Sequence, residues 1–307
     1  MVFTKTVTLT PNGPFSLDLS AQMFATGDEQ VRRYLNGEFS QVIKANNELI
    51  LVKVKSEGTA EKPKVNVELH SANNITPKNT DAAQKIIEYI FNLNSDLTSF
   101  YKQVENDEVM KKIVTQLYGY KYPTAPTVFE ALVDSIIEQQ ISIKVARGIE
   151  ERVTKRFGDK LELDNETYFV FPTAQNIKEA SISDIRGCGL SQRKAEYIYG
   201  VAELVTEGKL DLEELKNEDR SEEIIRELDA IKGIGVWTAE LTMLRGMQRL
   251  EALPAEDLGI RRVISKYYCG GEAIKAAEAR EVAEAWGDWK GLAAFYLICA
   301  EANNIEV

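Results

Sequence analysis

The spacing of apolar residues divides the chain into a strand-rich beginning and a helix-rich remainder. Across residues 1–75, apolar and polar side chains alternate with a period of two, which is typical of strands that bury one face. The alternation is regular at residues 15–19 and 65–69. Between two apolar runs, the pair Asn46-Asn47 predicts a hairpin turn. We therefore expect an antiparallel sheet in this part of the chain.

Helical spacing replaces this alternation after a polar linker at residues 76–82. Apolar residues then recur at i, i+3 and i+4, the pattern of an amphipathic helix. Thr80 or Asp81 is predicted to cap the first of these helices. The most regular pattern runs over residues 129–140 and predicts a helix with a turn at its end. A short helix is also predicted earlier, over residues 27–36.

These patterns predict an α+β fold. An antiparallel β domain with one or two helices is expected over residues 1–80, followed by a mainly helical region over 81–307. Within that region we expect two lobes with an active cleft between them. One lobe spans about residues 127–265, and the other combines 81–126 with 266–307.

Composition and the absence of long apolar runs count against a membrane-spanning protein and against a secreted one. The 307 residues are 44% hydrophobic and 28% charged, as in ordinary globular domains. No run approaches the 18 or more apolar residues of a membrane span. The start of the chain, MVFTKTVTLT, lacks a charged leader followed by an apolar core, so we expect no signal peptide. The expected location is intracellular, in the cytoplasm or nucleoid, without membrane association.

Cysteine and histidine usage restricts the candidate chemistry. The three scattered cysteines, Cys188, Cys269 and Cys299, form neither a disulfide framework nor a zinc motif. His70 is the only histidine and lies in a strand-like segment, so it is interpreted as a surface or interface residue. Catalysis through histidine is therefore not expected.

The charge is acidic overall but unevenly distributed. A net charge of −11 counts against a generic nucleic-acid binder, for which a basic footprint is expected. Acids concentrate in residues 205–229, whereas residues 245–266 carry several arginines and a lysine. A local basic face of this kind can still bind DNA.

The most informative stretch is residues 228–262, which contains a Gly233-Ile234-Gly235 turn before a helical run. Glycines allow positive φ angles and a close approach of the backbone to a ligand. The first N–H groups of the following helix have no partner within the helix, and the positive end of its dipole lies behind them. This arrangement favours binding of a phosphate.

The turn and its flanks resemble a known DNA-binding motif. The pattern Leu228-x-x-Ile231-x-Gly233-Ile234-Gly235-x-x-Thr238-Ala239 is similar to a helix-hairpin-helix. Its continuation through Leu253-Pro254 to Asp257 resembles the helix-hairpin-helix DNA glycosylases, and most of all their bacterial 3-methyladenine branch. The strings IIEQQISIKVA, beginning at Ile136, and Trp286-x-x-Trp289 extend the resemblance.

The resemblance implies that Asp257 is the catalytic carboxylate. Excision of a damaged base breaks the N-glycosidic bond and leaves positive charge on the sugar, which a fixed carboxylate stabilises while it orients a water. From the residues alone, Asp257 before Leu258-Gly259-Ile260 is better interpreted as a helix N-cap. Its position 22 residues after Gly235, as in the resembling family, favours the catalytic role. Glu256 is interpreted as a solvated neighbour.

Position 237 decides the expected subclass. Superfamily members with lyase activity carry a lysine there, and this chain has Trp237. We therefore predict a glycosylase without lyase activity. The resemblance places Trp237, Leu241 and Ile298 in the base pocket, where Trp237 would stack on a cationic purine. Leu241 and Ile298 replace aromatic residues of the bacterial enzymes, so a less aromatic pocket is expected. The alternative for Trp237 is plain core packing.

A wedge is expected at the turn after residue 138. By resemblance, Gln140 and Ile141 enter the duplex when the damaged nucleotide is flipped out. The alternative is that the glutamines only cap the helix and Ile141 is a core residue. A second glycine turn, Gly187-Cys188-Gly189, precedes Arg193 and Lys194; it is interpreted mainly as a helix connection, with phosphate contact as the alternative.

The hairpin is expected to grip one DNA phosphate, through Gly233, Ile234, Gly235, Val236 and Thr238. The resemblance also implies a monovalent cation held by the backbone carbonyls of Asp229, Ile231 and Ile234. No other cofactor is expected. Some superfamily members hold an iron–sulfur cluster with four cysteines, which three cysteines cannot supply.

The expected function is therefore that of a monomeric, monofunctional DNA N-glycosylase of base excision repair. It would act on double-stranded DNA and release alkylated bases of the 3-methyladenine and 7-methylguanine type. Two alternatives stay open: a glycosylase for 8-oxoguanine or other oxidised bases, and a non-catalytic damage-binding helix-hairpin-helix protein.

Overall fold

The computed structural model describes residues 2–307 and begins with a five-stranded antiparallel sheet. Its spatial order is β1-β5-β4-β3-β2. The strands are β1 (Phe3–Leu9), β2 (Arg32–Leu35), β3 (Glu38–Ala45), β4 (Glu48–Ser56) and β5 (Val65–Ser71). The predicted hairpin at Asn46-Asn47 is confirmed: both residues have positive φ and connect β3 to β4.

Two predictions for the N-terminal part are wrong. Residues 15–19 do not form a strand, because Ser16 caps a helix, α1 (Leu17–Phe24), by accepting a hydrogen bond from the Leu19 N–H at 3.3 Å. The alternation through this segment coincides with a helical face that buries Leu17 and Ala21. Residues 27–36 are not helical either and contain β2. The turn that follows β2, Asn36-Gly37, has positive φ at both residues, and this dipeptide is a strong hairpin signal.

The rest of the chain is mainly helical, which confirms the predicted α+β class. The helices are α2 (Pro77–Ile90), α3 (Leu97–Gln103), α4 (Glu108–Gln116), α5 (Val128–Glu138), α6 (Ile143–Phe157), α7 (Ala174–Glu179), α8 (Ile182–Arg186), α9 (Gln192–Thr206), α10 (Ser221–Asp229), α11 (Val236–Met247), α12 (Leu258–Tyr268), α13 (Ala276–Ala283) and α14 (Lys290–Ala302). Short 3-10 turns lie at Leu215–Asn217 and Glu284–Trp289.

The first long helix begins earlier than the predicted caps. Thr76 is the N-cap of α2, and its hydroxyl accepts from the Asn79 N–H at 3.2 Å while Pro77 occupies the first helical position. Thr80 and Asp81 therefore lie inside the helix. Ala83 and Ile87 of α2 are buried in one cluster with the inner face of the sheet.

A small hairpin inside the helical region was not predicted from the sequence. Strands β6 (Lys160–Leu163) and β7 (Glu166–Phe169) are joined by Asp164-Asn165, both with positive φ. Leu161 and Leu163 pack with residues of β3 and β4. The alternating Lys-Leu-Glu-Leu run before Asp-Asn was the signal that could have predicted it.

The C-terminal aromatic residues lie mostly in the core. Trp286 is 1% exposed and Tyr296 is fully buried. Gly287, with φ +55°, interrupts the 3-10 segment that precedes α14. No helix within residues 2–307 combines the length and apolar character needed to cross a membrane.

Candidate active site

The Gly233-Ile234-Gly235 turn joins α10 to α11 and leaves the start of α11 open. Gly233 has φ +91°, and a Cβ there would lie 2.3 Å from the ring of Tyr197. Gly235 is exposed, and no neighbouring atom lies within 4 Å of the position that a Cβ would take there. As N-cap of α11 it supplies no side-chain hydrogen bond. The N–H groups at the start of α11 therefore face solvent, where the helix dipole favours an anion.

Two of the residues predicted to contact phosphate, Ile234 and Thr238, have side chains that point into the protein. The N–H of Ile234 donates to the Ile231 carbonyl at 3.1 Å, and its side chain is 3% exposed. The Thr238 hydroxyl is buried and accepts a hydrogen bond from Gln139. The predicted role of Ile234 in binding phosphate is therefore corrected, and so is any role of the Thr238 hydroxyl. Contact through the backbone N–H groups of Gly233, Gly235, Val236 and Thr238 stays a prediction.

Asp257 is held in one orientation at the N-terminus of α12. Its Oδ1 atom accepts from the N–H groups of Gly259 at 2.7 Å and Ile260 at 3.0 Å. The Asp257 N–H donates to the Pro254 carbonyl at 2.9 Å. The side chain is half-buried. Because Oδ1 serves the cap, Oδ2 is the oxygen that stays available, so the N-cap and catalytic interpretations of Asp257 are compatible.

An ion pair that the sequence did not reveal ties this loop to α11. Arg280 on α13 donates to the Leu253 carbonyl at 3.0 Å and pairs with Glu240 of α11 at 2.8 Å. Burial raises the pKa of Glu240, and Arg280 opposes that rise. The pair joins residues 40 positions apart, so no local pattern marks it.

The predicted pocket residues lie on neighbouring helices. Trp237 and Leu241 are one turn apart on α11; Trp237 is half-buried and Leu241 is 3% exposed. Helix α12, whose N-cap is Asp257, packs against α14, which carries the half-buried Ile298. The candidate residues are therefore carried by α11, the N-cap of α12 and α14.

Two aromatic residues missing from the prediction lie beside these helices. Tyr122 packs against Phe295, with ring centroids 4.5 Å apart. Phe295 is almost one turn before Ile298 on α14, and Tyr122 also contacts Arg245, one turn beyond Leu241 on α11. The two rings thus lie beside α11 and α14, the helices that carry the predicted pocket residues. Tyr122 lies in an irregular segment, where periodicity carries no signal.

A known protein family matches the part of the chain that contains these candidate residues. The family model for the HhH-GPD superfamily of base excision DNA repair proteins matches residues 133–288, which contain both the hairpin and Asp257.

The chain belongs to the HhH-GPD superfamily of base excision DNA repair proteins.

The relatives of this HhH-GPD protein agree with that assignment. A DNA-3-methyladenine glycosylase of Bacillus subtilis is 30% identical over 220 residues, covering 70% of this chain and 71% of the relative. Residues 19–132 match a second family, the N-terminal domain of 8-oxoguanine DNA glycosylase. The chain is accordingly a DNA glycosylase of base excision repair.

Solved structures extend the similarity to the whole chain. A 3-methyladenine DNA glycosylase from Archaeoglobus fulgidus has a TM-score of 0.86 at 28% identity, covering 98% of this chain and all of that one. An 8-oxoguanine glycosylase/lyase from Clostridium acetobutylicum bound to DNA has a TM-score of 0.75 and covers 99% of both chains. At 23% identity, the latter shows the shared fold alone.

The predicted wedge residues, Gln140 and Ile141, lie at the tip of the turn between α5 and α6. Gln140 is exposed and has φ +57°, and Ile141 is 36% exposed. Ile141 is therefore not a core residue, which removes that alternative. The turn ends at Ser142, which caps α6.

The predicted basic stretch is largely neutralised within the fold. Arg245 pairs with Glu138 at 2.6 Å, and Arg249 pairs with Glu251 at 3.3 Å. Arg262 and Lys266 both approach Glu301, at 2.5 and 3.8 Å. A continuous basic face is thus not formed by this stretch, and the hairpin N–H groups become the better candidate for phosphate contact.

The carbonyls predicted to hold a monovalent cation lie at the end of α10. Asp229 is the last helical residue, so its carbonyl belongs to the last turn, which has no intrahelical partner. The Ile231 carbonyl accepts one hydrogen bond, from Ile234, and an oxygen of this kind has a second lone pair. These residues fit oxygen ligation, and the cation stays a prediction. Among residues 2–307, no cluster of acidic, histidine and cysteine side chains fits another metal.

Proposed function

We propose that this glycosylase excises alkylated purines of the 3-methyladenine and 7-methylguanine type and does not cleave the strand. One observation carries the proposal: the carboxylate of Asp257 is fixed by two backbone hydrogen bonds at the start of α12, while Trp237 stands at the lyase position. The names of the Bacillus subtilis relative and the Archaeoglobus fulgidus structure support the substrate class.

In the proposed mechanism the damaged nucleotide leaves the helix so that its C1′ atom reaches Asp257. Flipping costs a few kcal/mol, and damage lowers that cost. As the N-glycosidic bond breaks, the base departs with the bonding electrons and the sugar becomes cationic. The carboxylate stabilises that cation and orients a water whose oxygen bonds to C1′; a proton is released to solvent.

Trp237 is assigned to binding of the damaged base. An alkylated purine carries positive charge before the bond breaks, and an electron-rich indole face attracts it by stacking and cation–π interaction. Trp237 is half-buried in the first turn of α11. The positive charge of the base also makes it a good leaving group, so a second, acidic residue is not required.

The partner is proposed to be double-stranded DNA with the protein acting as a monomer. The hairpin contributes sequence-independent contact to one phosphate through Gly233, Gly235 and Val236, and specificity lies in the pocket. A related 3-methyladenine DNA glycosylase from Schizosaccharomyces pombe, solved in complex with abasic DNA, supports this partner.

A second candidate activity is excision of 8-oxoguanine. It is favoured by the match of residues 19–132 to the 8-oxoguanine DNA glycosylase N-terminal domain. The two candidates predict different products. The alkyl-base activity leaves an intact abasic strand, whereas a glycosylase/lyase forms an enzyme–DNA adduct that borohydride traps.

The experiment measures base release from methylated duplex DNA by wild type, Asp257→Asn and Glu256→Gln. Asparagine caps helices as well as aspartate, so Asp257→Asn should fold normally. We expect its rate of base release to fall at least about 100-fold, because the charge that stabilises the sugar cation is lost. Glu256→Gln should act like wild type. The same assay on 8-oxoguanine duplex, with borohydride trapping, tests the second candidate.

Base release by Asp257→Asn at the wild-type rate would refute the assigned mechanism. Release of 8-oxoguanine with a trapped adduct, and no release of methylated purines, would replace the proposed substrate by the second candidate.

A further inference from the structure

Two side chains outside the predicted site hold the end of α5 in place: one bonds it to the hairpin and the other bonds it to α9. The first is Gln139, the C-cap residue of α5. Its Nε2 atom donates to the Gly233 carbonyl at 2.9 Å and to the Thr238 hydroxyl at 3.0 Å. One amide group thus bonds both to the turn of the hairpin and to the first turn of α11.

The second is Lys194, in the first turn of α9. Its Nζ atom donates to the carbonyls of Ile137 at 2.8 Å and Gln139 at 2.6 Å. These are carbonyls at the C-terminal end of α5, which lack partners within the helix. A cation at this end is also favoured by the helix dipole. The ammonium is therefore engaged by the end of α5, and this contact favours a structural role for Lys194 over the alternative of phosphate contact.

Together the two side chains fix the point where the chain leaves α5. Directly after Gln139 the backbone turns through Gln140, at φ +57°. Beyond it, Ile141, Ile143 and Val145 are 36%, 48% and 52% exposed. Proteins that kink DNA insert apolar side chains of this kind between base steps. The exposed tip is therefore anchored at its base to the same hairpin that faces phosphate.

We propose that Gln139 and Lys194 are positioning residues that set the distance between the wedge and the phosphate-binding turn. When the hairpin binds a backbone phosphate, this connection places Gln140 and Ile141 at the gap that the flipped nucleotide leaves. The inference rests on the proposed wedge role of that turn. Neither side chain touches DNA in this proposal; both act through the residues that do.

The physical benefit is preorganisation. Extruding a nucleotide costs a few kcal/mol of stacking and pairing. A wedge that had to be ordered at the same moment would add the entropy cost of immobilising its side chains. With α5 already bonded to the hairpin, binding of the phosphate and filling of the gap become one event.

The test compares Gln139→Met and Lys194→Met with their conservative partners Gln139→Glu and Lys194→Arg. Methionine keeps approximately the length of each side chain and removes the donors. Glutamate keeps the shape of Gln139 but presents oxygens to the Gly233 carbonyl, whereas Arg at position 194 can still donate. Each variant is checked first for its melting temperature.

Two readouts separate positioning from a merely structural role. Nucleotide flipping is followed by stopped-flow fluorescence of 2-aminopurine placed beside a tetrahydrofuran abasic analogue. Affinity for undamaged duplex is measured by fluorescence anisotropy. For both methionine variants and for Gln139→Glu, we expect about tenfold weaker flipping, with affinity for undamaged duplex within about twofold of wild type. Lys194→Arg should restore most of the flipping signal.

The wedge itself is tested by Gln140→Ala with Ile141→Ala, alone and combined with Gln139→Met. If Gln139 acts through the wedge, adding Gln139→Met to the wedge variant should cause little further loss of flipping. Flipping at the wild-type level in the methionine variants, or equal losses of flipping and of undamaged-duplex affinity, would overturn the inference. Normal flipping by the wedge variant would instead refute the proposed wedge, a separate outcome.

Discussion

The two glycine turns of this protein share a sequence pattern and differ in what they leave exposed. Gly187-Cys188-Gly189 precedes α9, and Gly233-Ile234-Gly235 precedes α11; Gly189 has φ +99° and Gly233 has φ +91°. At the first turn, Arg152 donates to the Cys188 carbonyl at 2.7 Å. The turn that precedes α9 is thus filled by side chains of the protein itself.

The decisive difference is the residue that caps each following helix. Ser191 caps α9, and its hydroxyl accepts from the Lys194 N–H at 3.3 Å. Gly235 begins α11 without any side-chain cap. A helix start that its own serine satisfies has less capacity for an external anion, whereas an uncapped start retains it. Glycine spacing alone therefore does not predict a phosphate site; the capping residue must be considered with it.

The largest effect is expected from Gly233→Ala, which would break the exposed turn. The new Cβ would lie 2.3 Å from the Tyr197 ring, and its residue would be held at φ +91°. Overpacking and left-handed backbone strain together should lower the free energy of unfolding by about 3 kcal/mol. Denaturant unfolding measures this. Gly235→Ala is the matched control, since φ there is −105° and no neighbour lies within 4 Å; equal stability losses in both variants would contradict the described turn.

A smaller effect, on binding rather than folding, is expected from Gly235→Asp. The new carboxylate would cap α11 itself and repel a phosphate at the same N–H groups. We expect affinity for duplex DNA of any sequence to fall more than tenfold, about 1.4 kcal/mol, with the fold intact. Fluorescence anisotropy measures the affinity. Asn94→Asp, an exposed site with the same change of charge, should bind like wild type. Unchanged affinity of Gly235→Asp would remove the hairpin from the interface.

The smallest effect is expected from Ser191→Ala at the other turn. Loss of the serine cap should lower the free energy of unfolding by about 1 kcal/mol. Because α9 is proposed to make no phosphate contact through its N-terminus, affinity for DNA should stay within experimental error. A stability loss accompanied by weaker DNA binding would show that the two turns are more alike than their caps indicate.

Much of the fold could be predicted because it is encoded by neighbouring residues. The period-two pattern at Val65–Leu69 and the turn at Asn46-Asn47 both correspond to observed elements. The failures at residues 15–19 and 27–36 have local causes as well. A short amphipathic helix can imitate alternation over five residues, and the pair Asn36-Gly37 favours a hairpin over a helix across residues 27–36.

The candidate site could be predicted where it follows the motif and not where it depends on packing. The motif identified the glycine turn, Asp257 and Trp237 as candidates for chemistry, and their catalytic and pocket roles stay predictions. It also assigned Ile234 and Thr238 to phosphate, although both are buried. A motif defines positions along the chain, but the direction of a side chain depends on what packs around its helix.

The sequence by itself determined the α+β class, the superfamily and the position of the exposed glycine turn, because capping, turn chemistry and periodicity act between residues a few positions apart. Only the tertiary structure decided which side chains join distant helices. Two such contacts are the Glu240–Arg280 ion pair and the Tyr122–Phe295 ring contact. Two more are the hydrogen bond from Gln139 to the hairpin and the hydrogen bond from Lys194 to the end of α5. Such contacts depend on how the helices and strands pack against one another. That packing is set by all the side chains of the core together, and not by residues that are neighbours in the sequence.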